Sequence, residues 1–144
     1  MAHLTFPIVR AGLVVDVMIN LKESVLRPLR SAGGGPPPVP GRTLIDTGSD
    51  VTAVALPILQ QLGTPAIHST STLGIGGSVP VDLYEVSLHI LDPQNVSLPW
   101  LTQPSLQVME LASGVPFEAL IGMDVIRTCK LLVDGPAQQF TLKF

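Results

Sequence analysis

The chain announces strands before it announces anything else. From Leu13, Leu13, Val15, Val17, Ile19 and Leu21 fall on one face while Asp16 and Asn20 fall on the other, the two-residue period of a strand. Ahead of it "HLTFPIV" is a second strand candidate, and Ala11-Gly12 offers a turn, so a hairpin is expected to open the protein. Residues 67–73 and 79–90 read as strands separated by "GIGGS", Gly74 to Ser78. The segments "SLQVMEL" and "FEALI" read as further strands, and "LLVDGPAQQFTLKF" as a closing hairpin around Asp134-Gly135. Helical spacing is brief: Leu56, Leu59 and Leu62 with Gly63 as a stop, and a short piece over "GMDVIRTC".

Residues 22–41 break the pattern. In "RSAGGGPPPVPG", Arg30 to Gly41, glycines give freedom and prolines remove donors, so a central strand is excluded here and an exposed loop is expected. With 144 residues, the chain is expected to form one domain, 1–144, with this loop inserted ahead of the strand "TLI".

Composition narrows the partners. Charged residues make up 13% of the chain against a usual value of about 25%, which hints at additional buried surface such as a subunit interface. The formal net charge of -3, with no basic cluster, argues against nucleic acid and anionic membranes. No apolar run is long enough to cross a bilayer, and "MAHLTFPIVR" lacks the features of a signal peptide, so the sequence reads as cytoplasmic. Cys129 is the single cysteine, which excludes an intrachain disulfide. His3, His68 and His89 have no metal-ligand spacing, and neither metal nor cofactor is expected.

The candidate chemistry sits in "TLIDTGSDVTAV", Thr43 to Val54. An apolar strand runs into Asp46, whose carboxylate is costly to bury unless held. Gly48 permits a tight turn, Thr47 offers a hydroxyl for a cross-link, and Ser49 could donate its hydroxyl back to the Asp46 carboxylate. An isolated Asp-Thr-Gly could also do no more than cap its own turn.

"LIDTGS" resembles the active-site signature of aspartic proteases, and the chain length resembles the single-domain, retropepsin-like branch that includes the retroviral proteases. A glycine-rich tip, "GIGG", and "ALIGMD", Ala119 to Asp124, follow in the order of that family's flap and its second, hydrophobic-hydrophobic-glycine motif. The resemblance implies an all-β, closed barrel-like acid protease fold with one or two short helices and one lobe per chain. It further implies an aspartic endopeptidase acting on a peptide or protein substrate, in extended, largely apolar segments. Asp46 would be catalytic. Because the chemistry needs two carboxylates and the chain has one Asp-Thr-Gly, the second Asp46 would come from a second copy, making a homodimer.

Carried over by position, Thr47 would meet its symmetry mate, Gly48 and Asp50 would bind substrate main chain, and Gly122 would pack beneath Asp46. Gly74, Ile75, Gly76 and Gly77 would close over the substrate as a flap. Met123 stands where many retroviral members have Arg, so subunit organisation around Asp50 is expected to differ. The alternative from another class is a retropepsin-like dimerisation or peptide-binding module without turnover.

Overall fold

The computed structural model describes residues 2–74 and 77–144. In chain order its elements are β1 (His3–Pro7), β2 (Val14–Leu21), α1 (Glu23–Ser31), β3 (Val39–Ile45), β4 (Ala53–Ala55), α2 (Leu56–Leu62) and β5 (His68–Gly74). Then come β6 (Gly77–Asp92), β7 (Asn95–Leu111), β8 (Ala119–Ile121), α3 (Met123–Ile126), β9 (Lys130–Asp134) and β10 (Gln139–Lys143). A 7-stranded sheet runs β2-β3-β8-β4-β7-β6-β5, and β2 also pairs with β6, so all of it except β5 closes into a barrel. The fold is mostly β, as the alternation predicts.

The barrel interior is filled by the inward faces of its strands, with Val15, Val17, Ile19, Val54, Val86, Leu88, Ile90, Val108 and Ile121 all buried in one cluster. This is the period-2 stripe of β2 continued around the ring. The short strands β3 and β4 flank β8, parallel to the first and antiparallel to the second. That arrangement brings the β3–β4 connection, residues 46–52, beside the end of β8.

Helix α2 forms where expected. Ile58, Leu59 and Leu62 are buried, and Gly63 ends the helix with φ 70, donating to the carbonyls of Leu59 and Gln60.

The stretch 22–41 departs from the expected loop. Glu23–Ser31 is a helix despite Pro28, the sixth of its nine residues, because Leu26 is fully buried and that packing outweighs the internal bond that Pro28 cannot donate. Gly33, with φ 79, and the bond from Gly34 N–H to the Leu29 carbonyl end it. Val39, Pro40 and Gly41 belong to β3, paired with Ile19, Met18 and Val17. Pro40 is tolerated because alternate residues of a strand point their N–H groups the same way. Arg42 directs its N–H away from β2, to Glu118, so the donor missing from Pro40 faces an unpaired edge. Only residues 32–38 remain irregular, and Asn20 Nδ2 pins them through the Pro36 carbonyl at 3.2 Å.

The opening hairpin is also corrected. The turn exists, with Val9 and Gly12 exchanging backbone bonds, but β1 leaves β2 and pairs with β10 in a separate sheet ordered β1-β10-β9. The reason is packing. Leu4 and Phe6 are buried with Leu142 and Phe140, and the Phe6 and Phe140 rings stack at 4.9 Å between centroids. The closing hairpin, β9 to β10, forms as read.

Candidate active site

Asp46 is held at the end of β3 by its backbone. Its N–H donates to the Ile121 carbonyl at 2.8 Å, continuing the β3–β8 ladder, and its carbonyl accepts from Ser49 N–H at 3.2 Å, closing a tight turn. The Gly48 N–H donates to Asp46 Oδ1 at 2.9 Å. The carboxylate is half-buried, and its other oxygen has no partner among the described residues. One of the two oxygens is therefore fixed and the other left open.

Ser49 corrects the sequence expectation. Its hydroxyl donates to the Val51 carbonyl at 2.7 Å and not to Asp46. Ser49 braces the loop it belongs to. Thr47, Gly48 and Asp50 are exposed, and the Asp50 carboxylate has no side-chain partner among the described residues.

The loop is locked from below. Gly122, directly after β8, lies so close to residues 49–51 that a Cβ there would sit 2.8 Å from the Ser49 carbonyl oxygen and 2.8 Å from the Val51 carbonyl carbon. No rotamer relieves a backbone contact of that length, so only glycine fits. Next, Met123 N–H donates to the Ser49 carbonyl at 2.7 Å and Asp124 N–H to the Asp50 carbonyl at 3.2 Å. Gly122 thus packs beneath the turn that carries Asp46, against residues 49–51.

Two residues that sequence reasoning left without a role complete the lock. The Asp124 carboxylate accepts the Thr52 hydroxyl at 2.7 Å, the Thr52 N–H at 3.0 Å and its own helix's Val125 N–H at 2.9 Å. Thr52 Oγ1 in turn accepts from Gly122 N–H at 3.1 Å. Thr52 is fully buried, so each of these bonds satisfies a group that water cannot reach. The signal available in the sequence was a polar pair, Thr52 and Asp124, embedded in apolar runs.

Above the loop lies an open cleft of about 650 Å³ lined by Asp46, Gly48, Ser49, Asp50 and Val51 on its floor, with walls from Ser71, Val81, Leu83, Met109 and Leu120. The walls are mainly apolar. Ser71 and Val81 belong to the β5–β6 hairpin, whose ladder runs from His68↔Leu83 to Gly74↔Gly77. Gly77 has φ 110, in the region that favours glycine. Of the expected flap residues, Gly74 and Gly77 pair at the end of this ladder, whereas Ile75 and Gly76 lie outside the described residues.

Behind the cleft wall, Tyr84 ties β6 to β7 by donating its hydroxyl to Glu110 Oε1 at 2.7 Å. That bond, helped by burial and by the Glu110 and Asp82 charges, pushes the phenol up to about 12. Tyr84 therefore stays neutral and structural at any ordinary pH. The cleft contains one Asp-Thr-Gly turn and one fixed carboxylate.

No protein-family model and no curated protein matches the chain. Among solved structures it is similar to a retropepsin-like aspartic protease from Rickettsia conorii, with a TM-score of 0.61 and 12% sequence identity, over 99% of this chain and 91% of that one. The fold is thus retropepsin-like. Among the described residues, no helix is long and apolar enough to cross a membrane.

Proposed function

We propose that the protein is an aspartic endopeptidase, active as a twofold homodimer in which each copy supplies one Asp46. The single observation carrying this reading is Asp46 itself, held on a rigid turn at the floor of the open cleft with one carboxylate oxygen unpartnered. The retropepsin-like fold supports it.

Two like charges at van der Waals distance cannot both ionise, so the pair shares one proton and titrates as a unit. The ionised member takes a proton from a water lying between the carboxylates as that water attacks the peptide carbonyl. The protonated member donates to the oxygen on which charge develops. Thr47 meets its counterpart across the twofold axis, while the Gly48 carbonyl and Asp50 engage the substrate main chain. The β5–β6 hairpin closes over the substrate and excludes water. Val81, Leu83, Met109 and Leu120 favour apolar side chains in the bound segment.

A second reading, a peptide-binding or dimerisation module without turnover, draws on the Gly48-to-Asp46 bond, which a purely structural turn aspartate also makes. One experiment separates the two: purified protein and its Asp46→Asn variant are incubated with a denatured protein substrate across a pH series. The proposal expects fragments from the wild type alone. Fragments from both would remove Asp46 from the mechanism, and fragments from neither would favour the binding module.

A further inference from the structure

The charges that line the cleft are all of one sign. Its floor carries two carboxylates, Asp46 and Asp50, while the wall residues Ser71, Val81, Leu83, Met109 and Leu120 are uncharged. Among the described residues that line it there is no lysine or arginine. The sequence neighbours of the wall are acidic again. Asp82, between Val81 and Leu83, accepts the Ser69 hydroxyl at 2.7 Å, and Glu110, after Met109, accepts the Tyr84 hydroxyl at 2.7 Å. Farther along β6, Lys22 is held by Glu85 at 2.6 Å and adds no free cation. A cleft bordered by one sign of charge raises the local concentration of the opposite sign.

Asp50 and Asp46 are held differently. One Asp46 oxygen is fixed by the Gly48 N–H, and in the proposed site the carboxylate faces its own copy. In Asp50 it is the backbone that is fixed, its carbonyl accepting the Asp124 N–H at 3.2 Å, while the exposed carboxylate has no side-chain partner among the described residues. The side chain therefore starts from a set position on the cleft floor with its charge uncompensated. Its two oxygens allow it to accept a substrate N–H with one and to meet a cation with the other. Covering the cleft with the β5–β6 hairpin removes water and strengthens the attraction of a cation and the repulsion of an anion alike.

We infer that the substrate segment is basic as well as apolar: a lysine or arginine flanks the apolar residues at the scissile bond and pairs with Asp50. This rests on the proposed peptidase function and names the substrate class of that same site. The twofold axis of the proposed dimer repeats the floor, so an Asp50 stands on each side of the bond that is cut. A basic residue is thus favoured, and an acidic one disfavoured, both before and after that bond.

The test gives the wild-type protein synthetic peptides with a fixed apolar core whose flanking positions, on each side in turn, hold Lys, Gln or Glu. Products are identified by mass spectrometry and kcat/KM is measured for each peptide. At low ionic strength the Lys peptide is expected to be cleaved at least about tenfold better than the Glu peptide, with the Gln peptide between them. The ratio is expected to narrow toward one as salt rises to about 1 M, where screening acts within roughly 3 Å. Asp50→Asn is expected to bring the Lys-to-Glu ratio close to one and Asp50→Lys to invert it, whatever either does to the overall rate. Melting curves confirm that each variant is folded. For any variant that does not cleave, the same ratio is read from binding of fluorescently labelled peptides.

Wild-type cleavage at equal rates for Lys, Gln and Glu peptides, or a Lys preference that persists undiminished in Asp50→Asn, overturns the basic substrate class while the peptidase reading stands. Cleavage of no peptide by the wild type overturns the peptidase reading. Labelled-peptide binding then judges the charge preference separately, equal affinities overturning it.

Discussion

Asp124 accepts both the hydroxyl and the backbone N–H of Thr52, at 2.7 and 3.0 Å, and so ties the start of α3 to the end of the loop that carries Asp46. Thr52 passes the restraint on, because the oxygen that donates to Asp124 also accepts from Gly122. The Asp46 turn is consequently held by side chains six and more residues away in sequence. Asp124→Ala leaves the buried Thr52 N–H without its acceptor and is expected to lower stability by about 2–3 kcal/mol. Asp124→Asn, which keeps an acceptor, is expected to lose less. Urea unfolding of the variants checks the order, and peptidase activity is expected to fall in the same order.

Gly122→Ala tests the closest backbone approach in the loop. A Cβ at 2.8 Å from both the Ser49 and Val51 backbones must displace residues 49–51, since neither contact is the end of a flexible side chain. The expected cost is about 2–3 kcal/mol, at the upper end of overpacking losses, with activity lost because Asp46 moves with the loop. A variant with wild-type stability and turnover would show that the loop yields easily.

Ser49→Ala separates bracing from titration. Because the hydroxyl donates to the Val51 carbonyl, its removal is expected to cost about 1 kcal/mol of stability. The pH–rate profile is expected to keep its position. A profile displaced toward higher pH would mean that Ser49 acts on the carboxylate pair directly.

His89 predicts an acid limit to stability. Burial pushes its pKa below the ordinary histidine value; Glu23 on α1 opposes that shift and Arg30 adds to it, while Nδ1 lies 3.1 Å from Thr102 Oγ1. The folded state therefore favours neutral His89. The stability this contributes is fully present above the unfolded histidine pKa of about 6.5 and is lost as pH falls through the lower folded value. His89→Gln is expected to flatten the fall in melting temperature below pH 6.5, measured as a melting series against pH. An unchanged slope would assign acid sensitivity to other groups.

Local pattern made much of this molecule legible. Strand β2 alternates because one face fills the barrel, α2 carries both its apolar spacing and its glycine stop, and Asp-Thr-Gly with a later hydrophobic-hydrophobic-glycine run marks a turn and the strand end beneath it. What stayed hidden depends on distant partners. Nothing near Phe6 specifies Phe140, so local pattern points β1 to the nearest strand instead of the far end of the chain. In α1 the single buried Leu26 outweighs Pro28 and the neighbouring glycines, a decision made by tertiary packing and not by composition. Pro40 enters β3 because the strand has an open side there, which composition cannot reveal. Sequence distance alone points the Ser49 hydroxyl to Asp46, whereas the turn directs it forward to Val51.

The central claim, one active site built from two copies of Asp46, is tested most directly by subunit mixing. A fixed amount of wild type is combined with an equal amount of Asp46→Asn, the subunits are allowed to exchange at concentrations where both dimerise, and total cleavage is measured. If a working site needs both carboxylates, random assortment leaves about half of the original activity, because mixed pairs are silent. Activity that stays at the level of the wild type alone would mean that each chain cuts by itself, and would contradict the shared site.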